Sequence, residues 1–417
     1  MLVSRPGFLA GISELLRSFP AVAILGPRQC GKSTLAREFV REKRPSARLT
    51  IFDLERPSDL SRLRAAPEED LGLLQRQPGI ICLDEVQRAP ELFPLLRVLL
   101  DDPRRKARYL LLGSASPFLL EKTSESLAGR LGFLDLTPLL AVETEAQGGS
   151  RRQRHWTRGG FPRSLLARSE AASLDWRESY IRTYLERDIP LLGMRLPSET
   201  LRRLWTMLAH VHGGLLNASE LAAGLSVSAP TVGRYIDVLE GTYMIRRLAP
   251  YWANVGKRLT KAPKIYLRDS GLLHALLGIE SHHALRSHPK VGASWEGWVL
   301  EQVVATLGLA GERARPYFWR THGGAEVDLL LEMRGRVIPV EIKLGGEARI
   351  GRGLIECVKD LDAKSGFVMH GGPHTYPLGR GFWALSVELL ADPETLRDAL
   401  LDPERRAFDL VWMASAA

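Results

Sequence analysis

The chain has 417 residues, 45% of them hydrophobic and 25% charged, the proportions of an ordinary folded protein, so general disorder is excluded. It is too long for one core, which rarely grows past about 250–300 residues, and two or three domains are expected. Lys and Arg outnumber Asp and Glu by 57 to 48, a net charge of +9 that favours a polyanionic partner, while three cysteines exclude a disulfide framework.

No apolar run approaches the roughly 18 residues of a membrane helix, and the first residues lack a signal-peptide pattern, so a cytoplasmic location away from membranes is expected. The scattered histidines give no local set of zinc ligands.

Phe8, Leu9, Ile12, Leu15, Leu16 and Phe19 recur at helical spacing, which predicts an amphipathic helix before an apolar strand at residues 21–25. Directly after that strand stand Gly26, Pro27, Arg28, Gln29, Cys30, Gly31, Lys32 and Ser33, followed by Thr34. They complete the pattern G-x-x-x-x-G-K-S/T between a strand and a helix that runs to about residue 43. The glycines let backbone N–H groups turn inward around phosphate, the helix N-terminus adds partial positive charge, Lys32 reaches the β and γ phosphates, and Ser33 ligates Mg²⁺. ATP with Mg²⁺ is the nucleotide this pattern calls for.

Further apolar strands are expected at residues 49–52, 79–83 and 109–112, with a helix at 92–100 between the last two. Strands alternating with helices make a parallel α/β sheet. The strand Ile80-Ile81-Cys82-Leu83 ends in Asp84 and Glu85; Asp84 is placed to hold the hydrated Mg²⁺ and Glu85 to deprotonate the attacking water. Ser114, at the tip of the next strand, is the candidate water sensor, and Arg130 the candidate arginine finger toward a neighbouring subunit.

Residues 146–154, with Gly148, Gly149 and several basic or amide side chains, read as a linker. Beyond them Trp176, Tyr180 and Tyr184 step at i+4, a stripe for packing. From Leu201 three short helices and two strands follow, the second helix starting near Ser219 and the third at Pro230, with strands at 244–248 and 264–267. This is the outline of a winged helix-turn-helix. Arg246, Arg247, Lys257, Arg258, Lys261, Lys264 and Arg268, with Tyr251, Trp252 and Tyr266, make its ribbon a candidate DNA surface.

The last block begins with a helix at 295–304 and continues with strands at 325–331, 337–342 and 366–369. Asp328 lies on the first strand and Glu341 and Lys343 share one face of the second, so a hairpin brings the three together. Asp328, Glu341 and Glu296 are candidate metal ligands and Lys343 a candidate catalytic group, in the D-x(n)-E-x-K pattern of restriction-endonuclease-like folds.

With these residues assembled, the chain resembles a widespread bacterial and archaeal family of AAA-type ATPases with a C-terminal domain of unknown function. The matching stretches are 26–34, 83–87, 113–116, 127–130, 159–162, 295–297, Trp319-Arg320, 326–328 and 341–343. The resemblance implies an α/β protein with an N-terminal P-loop AAA-type ATPase core at 1–150, a helical lid at 151–198, a winged helix-turn-helix at 199–270 and a restriction-endonuclease-like α/β domain at 290–395. It also implies homo-oligomeric assembly, ring-like or other. Ser114 departs from the asparagine or threonine more usual at that strand tip. The functional expectation is an ATP-hydrolysing protein acting on DNA, with DNA cleavage by the last domain left open. The alternative is an ATP-switched regulator whose nuclease-like domain is catalytically inactive. A peptide-remodelling ATPase lacks an identifiable aromatic pore loop.

Overall fold

The computed structural model describes residues 3–114, 127–144, 149–191, 197–251 and 262–404. It falls into two units, Met1–Pro138 with Asp237–Met244, and Leu139–Ile236 with Ile245–Ala417.

The first unit is built on five strands, β1 (Ala21–Leu25), β2 (Arg48–Asp53), β3 (Gly79–Asp84), β4 (Ala107–Gly113) and β5 (Leu131–Asp135), all parallel, in the order β2-β3-β4-β1-β5. A parallel sheet needs helices on both faces, which is why β1 reads as the unbroken apolar run Ala-Val-Ala-Ile-Leu and is buried throughout. The helix Pro6–Ser18 turns Phe8, Leu9, Ile12 and Leu16 inward, and the helix Leu92–Asp101 does the same with Leu92, Phe93, Leu96, Leu99 and Leu100. The helix Lys32–Lys43 starts where Gly31 takes a left-handed φ of 104°, which a side chain rarely tolerates. β4 lies between β1 and β3, and its register sets Gly113 beside Leu25 and Leu112 beside Asp84.

The second unit opens with the helices Gly149–Arg158 and Glu170–Thr183, the latter N-capped by Ser169. The predicted linker over 146–154 is therefore corrected: from Gly149 on it is helix. The cause is tertiary. His155 and Trp156 are buried; His155 accepts from the Trp298 indole at 2.9 Å and the Trp156 indole donates to Ser294 Oγ at 3.0 Å, so packing overrides the loop-like composition. Residues 145–148 lie outside the described residues. The Trp176, Tyr180, Tyr184 stripe stacks at ring spacings of 5.1 and 6.2 Å, as the i+4 pattern predicts.

The helices Ser198–His210, Ala218–Leu225 and Ala229–Gly241 precede an antiparallel pair, β6 (Ile245–Leu248) and β7 (Lys264–Leu267). The long helix Val291–Leu309 then leads into six further strands: β8 (Arg315–Arg320), β9 (Glu326–Met333), β10 (Arg336–Lys343), β11 (Gly366–His370), β12 (Tyr376–Gly379) and β13 (Phe382–Ser386), in the order β12-β13-β11-β10-β9-β8. β8, β9 and β10 form an antiparallel meander, while β11 joins β10 in parallel through the crossover helix Arg352–Asp360. One core unites Trp295, Trp298, Val299 and Val303 with Leu329, Leu331, Val340 and Met369; another sets Leu354 and Cys357 against Trp319, Leu330 and Val368. Strands β5, β8, β12 and β13 are not among those that the sequence pattern predicts. All three cysteines are free and buried.

Candidate functional site

The phosphate loop follows β1. At Gly26 a side chain would meet the Leu136 carbonyl oxygen at 2.1 Å, and Gln29 and Gly31 adopt positive φ of 61° and 104°, so the backbone curls tightly between strand and helix. Pro27 closes the first turn with its carbonyl directed to Lys32: the buried Lys32 Nζ donates to the carbonyls of Gly26 and Pro27, each at 3.0 Å. Those partners are neutral carbonyls, which the ammonium can exchange for a phosphate. Arg28 pairs with Glu55, which Arg88 also approaches at 3.6 Å. Burial pushes the Cys30 thiol up, against the pull of Lys32, which makes it a packing residue and no nucleophile. Ser33 faces β3, and Thr34, in the helix's first turn, is exposed.

At the end of β3 the Ser33 hydroxyl donates to Asp84 Oδ2. Burial raises the Asp84 carboxyl above its ordinary value, the Ser33 hydrogen bond opposes this, and the Glu85 charge adds to it. A carboxylate so placed gains from a cation. The donor set fits Mg²⁺: Ser33 Oγ and Asp84 are hard oxygens in contact, beside a helix N-terminus suited to phosphate. When bound, the ion supplies positive charge to the phosphate oxygens. Glu85 has left-handed backbone, φ 55° and ψ 47°, a strained state for a non-glycine residue that turns its side chain off the line of the strand.

Ser114, at the tip of β4, lies against Glu85: its hydroxyl donates to Glu85 Oε2 at 3.3 Å. A residue without an assigned role completes the group. Gln87 Nε2 donates to Glu85 Oε2 and, at 2.9 Å, to Ser114 Oγ. Arg130 is not in this cluster. It holds both oxygens of Asp101 at 2.6 and 2.7 Å and the Ala128 carbonyl at 3.0 Å within its own unit.

The acids of the second unit are arranged differently. The β9–β10 register sets Asp328 next to the Glu341 position, and the Ile342 amide donates to Asp328 Oδ2 at 2.8 Å. The hairpin thus forms as the spacing predicts, but the occupant of the acid cluster is Lys264, 3% exposed, from β7. Its Nζ lies 3.1 Å from Glu296 Oε1 and 4.0 Å from Asp328 Oδ1 and also pairs with Glu326, while the Tyr266 hydroxyl donates to Glu296. Burial works against the Lys264 charge, yet Glu296, Asp328 and Glu326 outweigh it and hold the ammonium above its ordinary pKa. Asp328 is itself pushed up to about 7, by burial first and then by Glu296.

Glu341 is engaged elsewhere. It pairs with Lys343 at 2.7 Å and accepts from the Gly351 amide at 3.2 Å. Burial opposes the Lys343 charge, but its hydrogen bond to Glu341 prevails and keeps the ammonium above its ordinary value. The expectation that Glu296, Asp328 and Glu341 converge as metal ligands is corrected: among the described residues no group of three or more His, Cys, Asp or Glu is placed to hold a metal ion. The physical reason is that a lysine from outside the motif already pairs with two of the three acids, while the third is engaged by Lys343.

Three basic residues of the candidate DNA ribbon have acidic partners inside the second unit. Arg246 and Arg268 both pair with the buried Glu301, drawing its carboxyl down to about 2 against the effect of burial, and Lys264 is buried among acids. Trp252, Lys257, Arg258 and Lys261 lie outside the described residues.

Three family matches run along the chain: an AAA domain over residues 18–145, a domain of unknown function (DUF8612) over 150–283, and another (DUF4143) over 291–390. An uncharacterized protein of Mycobacterium tuberculosis, Rv2008c, is 45% identical over 379 residues, 91% of this chain and 82% of that protein. Mb2031c of Mycobacterium bovis, also uncharacterized, matches to the same extent. Among solved structures, the Walker-type ATPase paby2304 of Pyrococcus abyssi is 15% identical, with a TM-score of 0.48, over 66% of this chain and 96% of that one. No described helix is long and apolar enough to cross a membrane.

Proposed function

We propose that this chain, which belongs to the family of AAA-domain proteins that includes the mycobacterial Rv2008c, hydrolyses ATP and uses the cycle to act on DNA. The observation that carries the first part is the contact of Ser33 with Asp84 at the foot of a lysine-bearing loop, with Glu85 beside it. Lys32 and the loop amides bind the triphosphate, Ser33 and Asp84 supply the oxygens for Mg²⁺, and Glu85 takes the proton of the attacking water. The four-block partition, 1–150, 151–198, 199–270 and 290–395, is part of this reading, supported by family boundaries near residues 150 and 291.

Action on DNA is supported by the net charge of +9 and by the helices Ala218–Leu225 and Ala229–Gly241 followed by a two-stranded ribbon, a helix-turn-helix outline with Arg234 exposed on its second helix. Assembly of several copies, with Arg130 as finger, remains part of the proposal and requires Arg130 to leave Asp101.

The second reading is an ATP-switched protein whose nuclease-like block is silent. Lys264 favours it, because an ammonium already satisfies the acids that would otherwise recruit metal. The helix, meander, crossover helix and parallel strand of this block support descent from a nuclease-like fold, with cleavage the part at issue. ATP turnover with and without duplex, single-stranded and branched DNA separates the readings. Stimulation that weakens with salt is expected. A rate indifferent to every DNA favours the switch, and Mg²⁺-dependent nicking that Asp328→Ala abolishes would restore the nuclease. Glu85→Gln is expected to bind ATP normally and to turn it over about 10²–10⁴-fold more slowly.

A further inference from the structure

We infer that Gln87 is a second residue holding the attacking water in the ATP site, through its side-chain carbonyl oxygen. This deepens the hydrolytic reading and rests on it. Gln87 lies in the single turn Val86–Arg88 that follows β3, and the left-handed backbone at Glu85 folds this turn back so that side chains 85 and 87 meet.

The hydrogen-bond count fixes which way the amide points. An ionised carboxylate only accepts, so the atom of Gln87 facing Glu85 Oε2 is the nitrogen. Its two hydrogens go to Glu85 and to Ser114 Oγ, and the serine hydroxyl spends its one hydrogen on Glu85. Every donor in the triangle is used. What is left over is an acceptor: Gln87 Oε1 is buried and has no hydrogen-bond partner among the described residues. Buried acceptors are rarely left unpaired, and those that are tend to mark a catalytic role or a partner that arrives later.

A water molecule supplies the matching chemistry, since it carries two hydrogens to be placed. One points to the Glu85 carboxylate, which takes it as a proton. The other is held by Gln87 Oε1, which leaves a lone pair aimed at the γ-phosphorus. The water oxygen bonds to that phosphorus as its bond to the β–γ bridging oxygen breaks. One proton passes to Glu85 and the other stays on the new phosphate oxygen, giving ADP and phosphate. In this arrangement the serine at the tip of β4 is a spacer, and the amide it lacks is supplied by the turn after the neighbouring strand β3.

The test uses the full chain and phosphate release from MgATP. Gln87→Ala is expected to keep ATP affinity and unfolding midpoint while kcat falls about 10–100-fold at unchanged KM. Gln87→Asn, one methylene shorter, recovers part of kcat. In Gln87→Glu the introduced acid can replace the amide only while protonated, so its pH–rate profile gains a descending limb absent from the unmodified chain, a signature a merely structural residue does not produce. An unaltered kcat in Gln87→Ala, or a loss seen only in KM, would overturn the inference while hydrolysis by the unmodified chain stands. Should Gln87→Ala fail to fold, a Gln87→Glu profile without the limb overturns it. No hydrolysis by the unmodified chain removes the hydrolytic reading itself, and this inference with it.

Discussion

Both units place a lysine near clustered acids, and the two lysines do opposite things. Lys32 rests on two neutral carbonyls, while the nearby Asp84 is met by a hydroxyl and carries no direct counter-charge. Lys264 rests on three carboxyl groups and offsets part of their charge. A cation parked on backbone oxygens exchanges them cheaply for phosphate, because a hydrogen bond to a neutral group is traded for one to an anion. A cation buried among carboxylates is held by charge and is costly to remove. Residue type alone, lysine with two acids, therefore does not distinguish a working site from an internal ion-pair lock; the partner of the lysine does.

Removing each lysine in turn tests that contrast most directly. Lys32→Ala is expected to weaken ATP binding about a hundredfold, roughly 2.7 kcal/mol, and to leave the fold nearly unchanged, as isothermal titration and denaturant unfolding would record. Lys264→Met reverses the pattern. ATP binding persists, and the second unit loses about 3–5 kcal/mol because its acids are left buried without a counter-charge. Mn²⁺ should restore part of that stability in Lys264→Met and none in the unmodified chain. Equal stabilisation of both proteins by Mn²⁺ would mean that Lys264 does not stand in for a cation.

A smaller effect is expected in the pH dependence of the second unit. The Asp328 carboxyl is raised from 3.8 to about 7, so between those values the folded chain binds more protons than the unfolded one. Stability accordingly falls as pH rises through that window, by at most about 1.4 kcal/mol per pH unit. Asp328→Asn keeps an acceptor for the Ile342 amide and lacks the titration, so its unfolding free energy should vary less between about pH 4 and about pH 7, measured by denaturant titration. Parallel curves for the two proteins would remove Asp328 as the titrating group.

The smallest effect belongs to Arg130. Its pair with Asp101 is solvent-exposed, so Arg130→Ala should not shift the unfolding midpoint. If the residue acts on a neighbouring copy, turnover per chain drops only at concentrations where copies associate. A drop at every concentration would assign Arg130 to its own chain's chemistry.

The nucleotide site was legible because its signal is local. A loop of eight residues between a strand and a helix, and two acids at a strand end, are contiguous patterns that the backbone carries directly into place. Ser114 could be placed for the same reason, as the tip of a strand. Gln87 was missed although it stands in the matched stretch 83–87, since no spacing rule marks an amide two residues past an acid; the strained φ at Glu85 that brings it round is visible only in the fold. The ion pairs of Lys264 and Arg268 were not legible, because their partners, Glu296 and Glu301, lie about thirty residues away in sequence and are recognised only by burial. The linker over 146–154 failed likewise: its composition is loop-like, and the partners of its tryptophan and histidine, Ser294 and Trp298, lie on the distant helix Val291–Leu309.

The position of β4 between β1 and β3 turns the first sheet into a measuring device. Neighbouring strands stand about 4.8 Å apart, so the strand that feeds the loop and the strand that carries Glu85 are separated by about 9.5 Å. A ligand gripped by the loop amides must extend across the tip of β4 before its far end comes under Glu85. Chain length of the polyphosphate, more than its charge, is what such a sheet discriminates, and the residue at the midpoint of the span is Ser114, whose hydroxyl donates to Glu85.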